Sequence, residues 1–298
     1  MPRAQANGIE IEYDTFGDPS GPALLLVMGF TAQLIAWDPV FCQHLADDGF
    51  HVIRFDNRDC GLSTRLDGVE VDVVAFVEAW MAKQEEPPDV PVPYNLTDMA
   101  NDAVGLLDHL GIERAHIVGA SMGGMIVQAM AVEQPHRVLS MTSIMSTTGE
   151  MSVGQPTPEA MQALLTPPPS EREAFVNRAV ATSQVFASRR YFDPERIARR
   201  AAAAYDRAYY PEGATRQLSG VFASGHRAEA LRGVRVPTLV IHGRDDTLVD
   251  PSGGARTAEL IPGSRYVLLA DMGHDLPEPL WPFITGLISL HARTAISS

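Results

Sequence analysis

The 298 residues include only two cysteines, Cys42 and Cys60, and a single lysine, Lys83. Two thiols are too few for a disulfide framework or a zinc site, so a reducing compartment is expected, with the cytoplasm as the location. A lone lysine leaves Lys83 as the one residue able to form a Schiff base with a carbonyl. Positive charge is also scarce. Against 37 Asp+Glu stand 23 Lys+Arg, a net charge of -14 that opposes phosphate backbones and anionic membrane surfaces. Nucleic acid and membrane are therefore not expected partners, and a homo-oligomer is compatible with the sequence. No apolar run exceeds Ala23–Met28, far short of a bilayer span, and the N-terminus enters the alternation Ile9-Glu10-Ile11-Glu12-Tyr13 without a basic or apolar leader. A hydrophobic content of 45% builds a substantial core and excludes disorder.

Short apolar runs recur at Ala23–Met28, His51–Phe55, Ala115–Val118, Val138–Ile144, Thr238–His242 and Tyr266–Ala270, each followed by a segment of helical spacing. This alternation predicts an α/β fold with a mostly parallel central sheet flanked by helices. Met99, Ala103, Leu106, Leu107 and Leu110 form one such helical stripe, capped by Thr97 or Asn95 and stopped by Gly111. The alternation lapses over 146–230, where Pro167-Pro168-Pro169 interrupts the chain and later helices carry Phe175, Phe186, Tyr191, Phe192, Tyr205 and Tyr209. This reads as a helical lid inserted between core segments 1–145 and 231–298. A smaller insertion spans 65–93, with a helix through Val73, Val77 and Met81 and an acidic, proline-rich loop from Glu85 to Asp89.

Gly119-Ala120-Ser121-Met122-Gly123 lies between the strand at Ala115–Val118 and a helix over Met125–Val132. A serine on so sharp a strand-to-helix turn exposes its hydroxyl, and the tight backbone demands small neighbours. The hydroxyl needs a base titrating near neutrality, for which imidazole is suited. Of nine histidines, His274 follows the last strand, at the carboxyl edge of the sheet where catalytic groups gather. His44, His109, His136 and His291 fall in or at the ends of helical patterns, and His242 ends a strand near the site. The acid that orients the imidazole should lie between nucleophile and base. Asp245 and Asp246 both qualify; Asp246, three residues after Gly243, is preferred, and the alternative is that both cap the turn. Backbone N–H groups of Met122 and of Phe30, which follows Gly29 in the loop after the first apolar run, are the expected oxyanion donors. Met28, Trp37, Met125, Phe186 and Tyr191 are the expected substrate pocket, although Trp37 could equally pack beneath the loop.

With these parts placed, the chain resembles the α/β-hydrolase superfamily from about Ile9 to the final helix, apart from the lid. Val27-Met28-Gly29, the run from Phe55 to Thr64, Gly119–Gly123 and Met272-Gly273-His274 resemble the subgroup containing aclacinomycin methylesterase. That resemblance implies a serine carboxylesterase acting on a methyl ester of a polycyclic polyketide, a bulky hydrophobic small molecule. Met28-Gly29 and Asp59-Cys60-Gly61 depart from the His-Gly and Gly-His-Gly of many superfamily members. Ester cleavage by such a triad is redox-neutral and requires no cofactor or metal. A carbon–carbon bond hydrolase, a lactonase or a perhydrolase would use the same residues, and a receptor without turnover would keep the same fold. Arg189, Arg190 and Arg196 in the lid leave room for one substrate carboxylate.

Overall fold

The computed structural model describes residues 2–296 except 83 and 85, so Lys83 and Glu85 lie outside the described residues. The chain opens with a hairpin, β1 (Arg3–Ala6) and β2 (Ile9–Phe16), joined by Asn7-Gly8 with φ of 47° and 79°. Positive φ at both turn residues matches the right-handed twist of the strands, and Asn-Gly is the dipeptide that best tolerates it. The six apolar runs of the sequence become β3 (Ala23–Val27), β4 (His51–Phe55), β5 (Ala115–Ala120), β6 (Val138–Ile144), β7 (Thr238–Gly243) and β8 (Arg265–Leu269). They form one eight-stranded sheet in the order β1-β2-β4-β3-β5-β6-β7-β8, antiparallel at β1 and β2 and parallel elsewhere. Every residue of β3, β4, β5 and β7 is buried. Strands covered on both faces need apolar residues at consecutive positions, which is why these segments read as runs rather than alternations.

Helices α1 (Pro39–Asp47), α2 (Val73–Met81), α3 (Leu96–His109) and α4 (Met122–Glu133) follow in the first half. Asn95 caps α3: its side-chain oxygen accepts from the N–H groups of Thr97 and Asp98, while Asp98 accepts from the Asn95 N–H. Between β6 and β7 come α5 (Pro158–Leu165), α6 (Arg172–Phe186), α7 (Pro194–Ala208), α8 (Gly213–Ala223) and α9 (Ala228–Leu231), and the chain closes with α10 (Ser252–Leu260) and α11 (Trp281–Ile296). Alternate residues of β3 feed two apolar clusters. Leu25 and Val27 pack with α3 and α4, whereas Leu24 and Leu26 pack with α1 and α11. Among the described residues no helix is long and apolar enough to cross a membrane.

The helices between β6 and β7 are built differently. No residue of α6 or α7 is buried, and α5 buries only Ala160. Rings of Phe175, Tyr205 and Tyr209 join α6 to α7, supported by the Arg172–Asp206 pair. Two ion pairs tie this segment to the loop after β4: Arg207 to Asp56 at 2.7 Å and Arg216 to Asp59 at 2.8 Å. Helix α2, from the smaller insertion, leans on α8 through stacked Phe76 and Phe222.

Candidate active site

Strand β5 ends at Ala120 and α4 begins at Met122, leaving Ser121 alone on the turn with φ 56° and ψ -120°. A side chain in the positive-φ region is strained unless its surroundings hold it there. Here the Ser121 N–H donates to the Ile144 carbonyl at 2.9 Å, fixing the turn to β6. A Cβ on Gly123 would lie 2.1 Å from the Val27 carbonyl oxygen, so only glycine lets α4 start against β3. A Cβ on Gly29 would stand 3.0 Å from the Ser121 Cβ, which shows how closely the loop after β3 passes the serine. The backbone N–H groups of Phe30 and Met122 donate to no described residue. Two side chains that sequence reasoning did not single out brace that loop: Asn57 donates to the Met28 carbonyl at 2.8 Å, and Gln217 of α8 accepts from the Thr31 N–H at 2.9 Å.

Ser121 Oγ lies 3.0 Å from Nε2 of His274, and Nδ1 of the same ring lies 2.7 Å from Oδ2 of Asp246. A carboxylate only accepts, so Nδ1 carries the proton and Nε2 is left to accept from the serine hydroxyl. The other Asp246 oxygen accepts from the N–H groups of Leu248 and Val249, both at 2.9 Å. Burial by itself would raise the Asp246 pKa. The His274 charge opposes it most, then hydrogen bonds from His242 and His274, and the net effect holds the carboxyl at about 2. Asp245 is exposed and pairs with Arg244, so of the two adjacent aspartates only Asp246 meets the imidazole. His242 sits beneath the acid, with Nε2 2.8 Å from the Val249 carbonyl and 3.4 Å from Asp246.

His274 is also held by the helical segment. The His274 N–H donates to the carbonyl of Phe186 at the end of α6, and the Phe186 ring meets the imidazole edge-on at 6.0 Å. Ser188 accepts from the Gly273 N–H and donates to Asp275, so residues on both sides of His274 are anchored to the chain that follows α6. Cys42 and Cys60 are buried, and burial pushes both thiols up, Cys42 to about 12, away from thiolate character. Among the described residues no group of three or more His, Cys, Asp or Glu side chains is arranged to hold a metal ion.

A cavity of about 1630 Å³ opens over Ser121 and His274, between the sheet edge and the helical segment. Met28, Phe30, Met122, Met125, Phe186 and Tyr191 line it. Trp37 does not. It is fully buried on the opposite side of its loop, 5.4 Å from Phe41, which in turn meets Trp281. Trp37, expected in the substrate pocket, instead leads from the loop after β3 into α1, and its apolar ring joins the α1–α11 cluster rather than the cavity. Phe76 and Trp80 of α2 line the cavity as well, a contribution the sequence hints at only through their spacing of four on one helix face.

The sequence matches the family described as the alpha/beta hydrolase fold over residues 22–278. It is 29% identical over 300 residues to rhodomycin D methylesterase DauP of Streptomyces sp. (strain C5), covering 94% of this chain and 93% of that protein. The same figures hold for rhodomycin D methylesterase DnrP of Streptomyces peucetius. Among solved structures, the S103A mutant of the meta-cleavage product hydrolase CumD from Pseudomonas fluorescens IP01 superposes with a TM-score of 0.77 at 21% identity, covering 99% of this chain and 98% of that one. Sheet order, the serine turn between β5 and α4, and the family match over most of its length agree: this chain belongs to the α/β-hydrolase family.

Proposed function

We propose that the chain is a carboxylesterase working through an acyl-enzyme, with Ser121 as nucleophile, His274 as base and Asp246 as orienting acid. The observation that carries this reading is the unbroken hydrogen-bonded relay from Asp246 through His274 to Ser121 at the floor of an apolar cavity. Ser121 Oγ attacks the ester carbonyl as its proton passes to His274 Nε2, and Asp246 stabilises the imidazolium. Negative charge collects on the former carbonyl oxygen, where the N–H groups of Phe30 and Met122 receive it. Collapse expels the alcohol, which takes the proton from His274. Water then repeats the sequence on the acyl group, releasing the acid and restoring the serine.

The substrate class is a methyl ester of a bulky, ring-bearing molecule. The size and apolar lining of the cavity support it, as does similarity to two methylesterases over nearly the whole chain. Segment 146–230 acts as the cap over this cavity, and 65–93 closes one side of it through α2.

Replacing Ser121 with Ala should lower kcat/KM on a bulky methyl ester by about a thousandfold or more, with unchanged circular dichroism and loss of labelling by a fluorophosphonate. Turnover near the wild-type rate in that variant would overturn the assignment. Running methyl esters, lactones and vinylogous diketones side by side separates the esterase from a lactonase or a carbon–carbon bond hydrolase.

A further inference from the structure

The charged groups of the cavity wall are mostly neutralised. Arg196 pairs with Asp38 and Glu278, Glu150 with Arg256, and Asp59 with Arg216. Arg189 and Arg190, which the sequence offers for a substrate carboxylate, do not line the main cavity. Arg227 differs: it lines the cavity with no carboxylate partner among the described residues, and its Nη1 makes no hydrogen bond there. Its other nitrogens are fixed: Nε donates to Gln128 Oε1 at 3.1 Å and Nη2 to the Thr147 carbonyl at 2.9 Å. Gln128 is itself fully buried and held through its amide by Ser143 at 3.3 Å, so the guanidinium is preoriented before any ligand arrives. Burial lowers its pKa to about 10, which leaves it cationic at neutral pH. Two other cavity arginines also lack a carboxylate, but Arg178 turns back onto Thr182 and the Ala163 carbonyl, and the exposed Arg200 donates to the Ala36 carbonyl.

We propose that Arg227 is the anion-recognising group of the cavity and takes a carboxylate of the substrate, remote from the ester cleaved at Ser121. A guanidinium whose described partners are all neutral keeps an uncompensated positive charge, and a carboxylate reaching Nη1 would supply the charge-assisted hydrogen bond it lacks. Gln128, which anchors the guanidinium, stands seven residues beyond Ser121, a backbone separation on the order of 10 Å by helical rise, so the carboxylate sits away from the ester. The predicted substrates are half-esters: an apolar ring system with a methyl ester at one end and a free acid at the other.

This proposal rests on ester hydrolysis at Ser121, and its test keeps the two apart. Two methyl esters sharing one ring skeleton are compared, one carrying a distal carboxylate and the other a carboxamide at the same place. The wild type should favour the acid in kcat/KM by about 30-fold, the worth of a charge-assisted hydrogen bond. Arg227→Gln should reduce that ratio at least tenfold by about the same principle, and Arg227→Lys should fall between, since charge returns without the fork. A structural role would lower both substrates together and leave the ratio unchanged, which would overturn the proposal. So would a wild-type preference for the carboxamide. Calorimetric titration of Ser121→Ala with the acid and amide compounds, alone and combined with Arg227→Gln, reads the same ratio as affinity. If wild type cleaves neither ester and resists a fluorophosphonate, the esterase reading fails, while this titration still decides the role of Arg227.

Discussion

The sheet and the helical segment between β6 and β7 solve the problem of staying folded in opposite ways. Strands β3, β4, β5 and β7 are buried at every residue, and two apolar clusters clamp them. Helices α6 and α7 bury no residue fully and depend on ring contacts and ion pairs. The difference shows in what each region holds: the close-packed scaffold keeps Ser121, His274 and Asp246 at hydrogen-bond distance, whereas the helical segment leaves apolar side chains uncovered along the cavity. The two regions meet where α6 ends: Phe186 and Ser188 hold the His274 loop, so the scaffold and the helical segment hold His274 together.

Substitutions can sharpen or break that contrast. The largest effect is expected at Gly123, where a valine side chain would drive into the Val27 carbonyl. Gly123→Val should cost about 4 kcal/mol or more and yield insoluble protein, and a soluble variant with a native urea midpoint would show that the turn tolerates repacking. Next comes Arg207→Met, which takes this cation from the fully buried Asp56 carboxylate and leaves the N–H groups of Leu34 and Leu62 on it. A loss of about 3 kcal/mol is expected, with proteolysis cutting within 146–230 before the sheet opens, and Asp56→Asn in the same chain should recover part of it. If both regions instead became susceptible together, the segment would not be a separate unit of stability.

Acid should act on the scaffold side. The Asp246 carboxyl is held at about 2 in the folded chain against an ordinary 3.8. A depressed pKa contributes stability that is complete above 3.8 and is lost as pH falls through 2, here roughly 2 kcal/mol. Urea midpoints measured from pH 5 down to pH 2 should decline over that window, and Asp246→Asn should flatten the decline. The smallest effect belongs to the exposed Arg172–Asp206 pair between α6 and α7. Arg172→Ala should leave the thermal midpoint unchanged within error, because water already screens this contact.

Much of the scaffold was legible because its signals are local. Buried strands announce themselves as apolar runs, and the serine turn requires small residues within five positions. The hairpin of β1 and β2 went unread in the sequence, although Asn7-Gly8 before an alternating segment carries its signal, because the larger parallel pattern draws attention away from it. The site was harder. Asp245 and Asp246 differ only in which way their turn points, and that depends on the N–H groups of Leu248 and Val249 closing on one carboxylate. Trp37 has the composition of a pocket residue and the position of a core residue, and only its packing on Phe41 decides between them.

Residue order determined the kinds of element, their sequence along the chain, and the chemical groups on offer: one hydroxyl on a strained turn, an imidazole in the loop after the last strand, and too few cysteines or lysines for rival chemistry. Tertiary structure decided which of those groups meet. The relay closes over 153 residues between Ser121 and His274, and the neutralisation of Arg207 and Arg216, like the isolation of Arg227, depends on partners from distant segments. The physical reason is range: backbone preference and apolar periodicity act over a few residues, whereas hydrogen bonds, charge pairing and the shape of a cavity exist only after the sheet has brought its carboxyl ends to one edge.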